Sequence, residues 1–228
     1  AAKLRYDAKS PRYPGLAPCE LALDFGELVR QKDEVIHGYR KKKYESLLGG
    51  QFSIEEGHVE FVDARTVEVG GKLLTGERVL IATGSRPVLP DIPGLDTVPY
   101  LTSDLLTNDE PMEMRGLPRS LVIVGGGYIA LELGQMFSRF GTEVTIIERN
   151  PRLLFHGYEP EVGLSIAGVL ADEGIRVLTE AQVRQVGPSD GGVSVTVFAK
   201  GAQREIRAER ILVATGRRPN TDRIGVER

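Results

Sequence analysis

A glycine-rich turn between an apolar strand and a helix limits the possible folds of this chain more than any other feature. Residues 125–130 (hereafter the glycine-rich turn) read Gly-Gly-Gly-Tyr-Ile-Ala and match the pattern G-x-G-x-x-G/A. The apolar run 121–124 comes directly before it, and residues 128–140 have the apolar spacing of a helix. Glu148 ends the next apolar run, where the pattern requires an acidic residue. This order predicts a Rossmann-type site for a nicotinamide dinucleotide.

The small residues of the glycine-rich turn each have a physical role in such a site. Gly125 permits the tight turn, Gly127 lets the backbone approach a pyrophosphate, and Ala130 lets the helix pack closely on the strand. The pyrophosphate would meet free amide groups and the positive end of the helix dipole. Gly126 and Ile129 are expected to contact the dinucleotide as parts of the same turn. The alternative is a glycine-rich turn that binds nothing.

Glu148 and the two arginines after it bear on the choice of cofactor. A carboxylate accepts hydrogen bonds from ribose hydroxyls and repels a 2′-phosphate, so Glu148 favours NAD over NADP. Arg149 and Arg152 follow closely, and either could instead pair with a phosphate. Both are equally compatible with a solvated loop.

An internal repeat indicates two units of similar fold. Residues 77–87 and 209–219 agree at eight of eleven positions, and each copy contains Ala-Thr-Gly at the end of an apolar run. Small residues there leave room for a ligand, although a plain strand exit is the alternative. The interval from Gly125 to Gly216 is longer than the whole chain before Gly84. The first unit would then lack its own glycine-rich turn, so we expect an internal fragment of a longer protein.

The apolar pattern predicts an α/β protein with a doubly wound, Rossmann-like sheet and a β-meander. The predicted helices are one ending near Lys9, one from the N-cap Asp24 to about Leu48 with a stop at Gly49 and Gly50, and those at 128–140 and 160–173. The predicted strands are 57–62, 66–69, 78–82, 121–124, 144–147, 175–178 and 211–213, with the meander at 183–208 and a proline-rich connector between the units.

Composition excludes several classes of partner. The formal net charge of -3 gives no reason to expect nucleic acid or an anionic membrane as a partner. No apolar run approaches the ~20 residues of a membrane span, and the single cysteine, Cys19, cannot form an intrachain disulfide. A cytoplasmic location is therefore expected. His37, His58 and His156 show no metal-ligand spacing, so no metal site is predicted.

Three motifs together resemble the flavin-dependent pyridine nucleotide–disulfide oxidoreductases. They are Ala-Thr-Gly at 82–84, Val-Gly-Gly-Gly-Tyr-Ile-Ala-Leu-Glu at 124–132, and Ala-Thr-Gly-Arg-Arg-Pro-Asn at 214–220. Segments 44–50 and 99–103 are most similar to the mercuric reductase branch of that family. A dihydrolipoamide dehydrogenase is the alternative within the family, and a non-catalytic dinucleotide-binding sensor module is the alternative outside it.

The resemblance implies an organisation in which NAD(P)H reduces FAD, and FAD reduces a cysteine pair and then a disulfide or metal-ion acceptor. Residues 1–90 would be an incomplete FAD-binding domain, 91–118 a connector, 119–217 the NAD(P)-binding domain, and 218–228 a return toward the FAD domain. The redox cysteines, the acid–base histidine and the dimerisation domain of a homodimeric parent would lie outside this chain. Cys19 does not match the redox pair, so the chain alone is not expected to turn over substrate.

The resemblance also implies roles for individual residues. Tyr128 would cover the flavin until nicotinamide displaces its ring, and Glu132 would lie near the nicotinamide amide. Gly216 would line the nicotinamide pocket and Val183 would flank the adenine. The implied FAD contacts are Val59, Ala82, Thr83 and Gly84.

Overall fold

The computed structural model describes residues 1–45, 47, 50, 52–106, 114 and 116–227, which form two compact units. The large unit comprises Ala1–Asp33 and Pro87–Gly216, and the small unit comprises Glu34–Arg86 and Arg217–Arg228. The helices are α1 (Ala2–Lys9), α2 (Phe25–Glu45), α3 (Tyr128–Phe140) and α4 (Pro160–Asp172). The strands are β1 (Val59–Asp63), β2 (Thr66–Val69), β3 (Lys72–Thr75), β4 (Ser85–Pro87), β5 (Tyr100–Leu101), β6 (Ser120–Val124), β7 (Glu143–Ile147), β8 (Arg176–Leu178), β9 (Ala181–Ser189), β10 (Gly192–Ala199), β11 (Ala202–Ala208), β12 (Arg210–Val213) and β13 (Arg217–Pro219).

A five-stranded parallel sheet in the order β5-β12-β6-β7-β8 is the centre of the large unit. Residues 121–124 of β6 are all buried, as expected for a parallel strand covered on both faces. Their side chains alternate between two apolar clusters. Leu121 and Ile123 pack with α3 and α4, whereas Val122 and Val124 pack with the meander.

The prediction of a doubly wound sheet is correct for only one of these faces. Helices α3 and α4 cover the first face, but the antiparallel sheet β9-β10-β11 covers the second. The meander can cover this face because Val193, Val195 and Val197 occupy every second position of β10. Their side chains therefore lie on one side of the strand, which packs on the parallel sheet. The architecture is therefore mixed α/β with three layers, namely helices, parallel sheet and antiparallel sheet.

The proline-rich connector belongs to this core, which the sequence did not predict. Its residues Tyr100 and Leu101 form β5, the edge strand beside β12. Gly94 has a φ of +81°, and a Cβ at this position would lie 2.0 Å from the carbonyl oxygen of Val186. The backbone of the connector therefore touches the backbone of the meander, and the Val186 amide donates to the carbonyl of Pro93 at 2.9 Å.

The helix boundaries follow the predicted signals. The Glu27 amide donates to the Asp24 carboxylate at 2.9 Å, which makes Asp24 the cap of α2 as predicted. This helix ends at Glu45, and the predicted end at Leu48 and Gly49 lies outside the described residues. Helix α3 ends at Phe140 and is capped by Gly141, whose φ of +106° is the left-handed conformation that glycine favours. Within the described residues, no helix is long and apolar enough to cross a bilayer.

The small unit contains the antiparallel sheet β1-β2-β3 and the two-stranded pair β4-β13. The predicted strand at 78–82 is wrong, because these residues are irregular and Leu80 is 90% exposed. The nearly identical repeat copy forms β12, which hydrogen-bonds to β5 on one side and β6 on the other. No described strand pairs with 78–82, and an apolar run without a hydrogen-bonded neighbour gains little from an extended conformation.

A buried ion pair joins α3 to the end of α4 in the large unit. The Arg139 guanidinium donates to Glu173 at 2.6 and 2.8 Å, and the Gln135 amide donates to the same carboxylate at 2.9 Å. The two charged side chains are only 17% and 4% exposed. This hydrogen bonding to Glu173 raises the pKa of Arg139. Arg139 also stacks on the ring of Tyr6 in α1, 4.6 Å from its centroid.

Removing the cation from this pair should destabilise the large unit. We expect Arg139→Ala to lower the free energy of unfolding by about 3 kcal/mol, because it leaves the buried Glu173 carboxylate without its charged partner. The exposed pair of Arg207 and Glu205 supplies the control, since Arg207→Ala removes a solvent-screened charge and should destabilise the protein far less. Urea unfolding followed by circular dichroism measures both. Equal losses for the two variants would contradict the assigned role of Arg139.

Candidate functional site

The carboxyl ends of three parallel strands meet at Gly125. The Gly125 amide donates to the carbonyl of Ile147 at the end of β7, at 2.8 Å, and the Ala214 amide after β12 donates to the carbonyl of Val124, also at 2.8 Å. Gly125 has a φ of +115°, and a Cβ here would lie 2.4 Å from the Ala214 carbonyl oxygen. Only glycine fits this junction, in agreement with the predicted tight turn.

Gly127 leaves open space in front of the first turn of α3. It is the N-cap residue of that helix, and a Cβ added to it would meet no atom within 4 Å. The first amides of a helix have no intrahelical partner and carry the positive end of the helix dipole. Ala130 behind them is fully buried against the sheet. An anionic diphosphate therefore has both room and donors here, so the residues present fit the predicted ligand.

Glu148 lies beside this opening, and hydrogen bonds to the ends of two other strands fix its backbone. Its amide donates to the carbonyl of Leu178 at 2.8 Å, and its carbonyl accepts the Ala181 amide at 3.0 Å. The side chain is buried, with the residue only 7% exposed. A Cβ on Gly126 would lie 2.7 Å from Oε2 of Glu148 and 2.9 Å from its Cβ and Cγ. The absence of a side chain at Gly126 is thus what allows Glu148 to occupy this position.

Asn150 holds the Glu148 carboxylate, and sequence analysis missed this residue. Oε1 of Glu148 accepts hydrogen bonds from the Asn150 backbone amide at 2.7 Å and from its side-chain amide at 2.6 Å. The only sequence signal was that Asn150 lies two positions after Glu148. At such short separations an Asn side chain can hydrogen-bond to a neighbouring residue.

Arg152 fixes the loop after Glu148 through hydrogen bonds to backbone carbonyls. Its guanidinium donates to the carbonyls of Leu154, Phe155 and Tyr158 at 2.8, 3.1 and 3.0 Å. The loop also returns to the glycine-rich turn, because the Leu154 amide donates to the Gly126 carbonyl at 2.9 Å. Arg149 remains as an exposed cation next to Glu148.

The other predicted dinucleotide contacts include residues of α3 and β9. Tyr128 and Glu132 are exposed in the first two turns of α3, and Ile129 is half-buried. Val183 is half-buried in β9, two residues after Ala181, whose amide binds the Glu148 carbonyl. Their hydrogen-bonding or packing to a ligand stays a prediction.

Gly216 lies just beyond β12 and is hydrogen-bonded to Val88, shortly before the connector. It is exposed, with a φ of +128°, and its carbonyl accepts the Val88 amide at 2.9 Å. Thr215 Oγ1 donates to the Val88 carbonyl at 2.8 Å. These two bonds fix the second Ala-Thr-Gly, which follows the end of β12.

In the small unit, Asn220 fixes the turn at Thr83 and Gly84. Its backbone amide donates to the Gly84 carbonyl at 3.0 Å, and its side-chain amide donates to the Thr83 carbonyl at 3.1 Å. Arg86 in turn donates to the Asn220 side-chain oxygen at 2.9 Å and pairs with Asp222. Sequence analysis did not predict these hydrogen bonds, although Asn220 is the last residue of the third motif at 214–220.

The Arg86 hydrogen bond to Asp222 lowers the pKa of that carboxyl group. Any stability from this exposed pair is therefore present above the usual aspartate pKa and is lost as the pH falls through the lowered value.

The predicted FAD contacts are on two segments of the small unit. Val59 lies in β1 opposite Val69, whereas Ala82 precedes the Thr83 and Gly84 turn in an irregular, exposed segment. Cys19 in the large unit is exposed. Among the described residues, no group of three or more His, Cys, Asp or Glu side chains is arranged to hold a metal ion.

Two neighbouring glycines should respond differently to the same substitution. Gly127→Ala should leave the melting temperature nearly unchanged, since the new methyl group meets nothing, yet lower NADH affinity at least about tenfold by occupying the phosphate approach. Gly126→Ala should lower both stability and NADH affinity, because it displaces Glu148. Thermal unfolding and calorimetric titration with NADH measure the two effects. Unchanged NADH affinity in Gly127→Ala would contradict the assignment of this opening.

Comparison with known proteins extends over nearly the whole chain. The family model of the pyridine nucleotide-disulphide oxidoreductases matches residues 8–228. The mercuric reductase of Bacillus cereus is 40% identical over 221 residues, which are 96% of this chain and 34% of that protein. The dihydrolipoyl dehydrogenase of Geobacillus stearothermophilus is 34% identical over 232 residues, which are 100% of this chain and 48% of that protein.

A solved structure has a similar fold over most of the chain. The HOCl-induced flavoprotein disulfide reductase RclA from Escherichia coli aligns with a TM-score of 0.75 and 31% identity, covering 90% of this chain and 46% of that one. The chain thus spans less than half the length of each of these relatives. With the family model covering 8–228, this chain belongs to the pyridine nucleotide-disulphide oxidoreductase family.

Proposed function

We propose that this chain is the nucleotide-binding part of a flavoprotein oxidoreductase similar to mercuric reductase. In the intact protein, NAD(P)H would supply a hydride, and FAD would pass its electrons to a disulfide or metal-ion acceptor. The observation that carries the proposal is the opening at Gly127, with the N-terminus of α3 behind it and the Glu148 carboxylate beside it.

The large unit would bind the nicotinamide dinucleotide. The glycine-rich turn would hold the pyrophosphate through backbone amides, and Glu148 would accept hydrogen bonds from the adenosine ribose. Val183 would flank the adenine, while Glu132 and Gly216 would line the nicotinamide end. The exposed side chain of Tyr128 is placed at the start of α3, where its ring would exclude water from the flavin until nicotinamide arrives.

The small unit would contribute to the FAD site through Val59, Ala82, Thr83 and Gly84. The hydrogen bonds from Asn220 fix the Thr83 and Gly84 turn, and this supports a role in which backbone approaches a cofactor. The same proposal places the domain boundaries near residues 90, 118 and 217. It also includes a homodimeric intact protein.

Mercuric ion is the favoured acceptor, and dihydrolipoamide is the second candidate. Five mercuric reductases are 36–40% identical to this chain, compared with 34% and 32% for two dihydrolipoyl dehydrogenases. Because the difference in identity is small, the acceptor is best tested by assaying the intact protein with mercuric ion and with lipoamide. Turnover of lipoamide alone would assign it to the second candidate.

NAD(H) is the favoured nucleotide, because the buried Glu148 follows β7, where an acidic residue would meet the ribose, and Arg152 donates to loop carbonyls. The chain should bind NADH, and Glu148→Ala should weaken this binding about tenfold while leaving NADPH binding unchanged or stronger. Fluorescence titration with both nucleotides gives the ratio of the two dissociation constants.

Glu143→Ala is the matched control for this experiment. Glu143 is an exposed carboxylate at the opposite end of β7, so its removal should leave the ratio unchanged. The proposal fails if the chain with its native sequence binds neither NADH nor NADPH.

A further inference from the structure

We propose that Asn150 is a positioning residue that sets the nucleotide preference by holding one oxygen of Glu148 and leaving the other for the ribose. The inference rests on the proposed function, because it concerns the same dinucleotide site. It assigns a specificity role to a residue outside the glycine-rich turn.

The hydrogen bonds of Asn150 all fall on one side of the carboxylate. Both its backbone amide and its side-chain amide donate to Oε1 of Glu148, at 2.7 and 2.6 Å. Oε2 instead faces Gly126, where the distance to an added Cβ would be only 2.7 Å. The carboxylate therefore has a fixed orientation, with Oε2 directed toward the glycine-rich turn that would carry the pyrophosphate.

The backbone of Asn150 is itself fixed by the next strand connection. Its carbonyl accepts the amide of Glu180 at 3.0 Å, one residue before Ala181 donates to the Glu148 carbonyl at the same distance. Glu180 adopts a φ of +48°, which turns the chain so that both amides face residues 148–150. Asn150 is thus held by the core of the large unit and can orient Glu148 without help from a ligand.

The chemistry of the donor is as important as its position. An amide orients a carboxylate without neutralising it, so the full negative charge of Glu148 remains to repel a 2′-phosphate. A lysine or arginine at this position would cancel that charge. The nearby guanidinium of Arg152 does not do so by hydrogen bonding, because it donates to the carbonyls of Leu154, Phe155 and Tyr158.

The test compares NADH and NADPH binding to the full chain carrying Asn150→Ala, Glu148→Ala or both. We expect Asn150→Ala to weaken NADH binding about fivefold and NADPH binding less than about twofold, because one of two charge-assisted bonds is lost. In the Glu148→Ala background, the same substitution should change NADH affinity less than about twofold. This loss of effect is the signature of a residue that acts through Glu148.

The variant Asn150→Asp distinguishes the effect of the hydrogen bond on NADH binding from the effect of side-chain shape. It keeps the shape but turns a carboxylate toward Oε1 of Glu148, so NADH binding should fall further than in Asn150→Ala. If Asn150→Ala does not fold, Asn150→Leu, which also lacks a donor, is substituted for it in the same cycle, with the same expected selectivity.

A purely structural role would give a different pattern, with equal losses for both nucleotides that persist in the Glu148→Ala background. That result, or an unchanged ratio in Asn150→Ala, overturns this inference while leaving the proposed function intact. Failure of the native chain to bind either nucleotide would instead overturn the proposed function itself.

Discussion

The close approach of Gly125 to the backbone of the neighbouring strand is the constraint on which the large unit depends. Gly125 has a positive φ, and a Cβ added to it would lie 2.4 Å from the Ala214 carbonyl oxygen. No other residue fits this position. As a result, β6 can end against both β7 and β12, and α3 can begin directly above their carboxyl ends. In open α/β sheets ligands bind at this edge, so the glycine that closes the strand junction also sets the start of α3 at the edge where a ligand would lie.

On the acidic side of that opening, the hydrogen bonds to the Glu148 carboxylate come from a neutral residue. Glu148 is buried, yet its carboxylate bonds to an asparagine, and the loop that follows is fixed by backbone carbonyls gathered around Arg152. Gly126 provides the space, and its carbonyl accepts the Leu154 amide. The loop is therefore shaped by the same turn that would hold the phosphates, which couples the position of Glu148 to the geometry of the glycine-rich turn.

Agreement between sequence and structure is best where the signals are local. Strand β6, the start and end of α3, and the Asp24 cap were all predicted from spacing and capping residues within a few positions. The strand predicted at 78–82 is irregular although its repeat copy is β12, because hydrogen bonding to neighbouring strands is a property of the assembled sheet. The edge strand β5 was missed for the converse reason, since two residues in a proline-rich connector carry no recognisable period.

The sequence alone determined the family, the position of the glycine-rich turn and its acidic partner, because glycine requirements and strand–turn–helix order are written in consecutive residues. Only the tertiary structure decided that a meander covers the second face of the sheet, that Arg152 binds loop carbonyls, and that Asn150 and Asn220 fix the two turns. These features depend on which hydrogen-bonding groups come together when distant segments pack. A local sequence pattern does not specify the hydrogen-bond partner of a polar side chain.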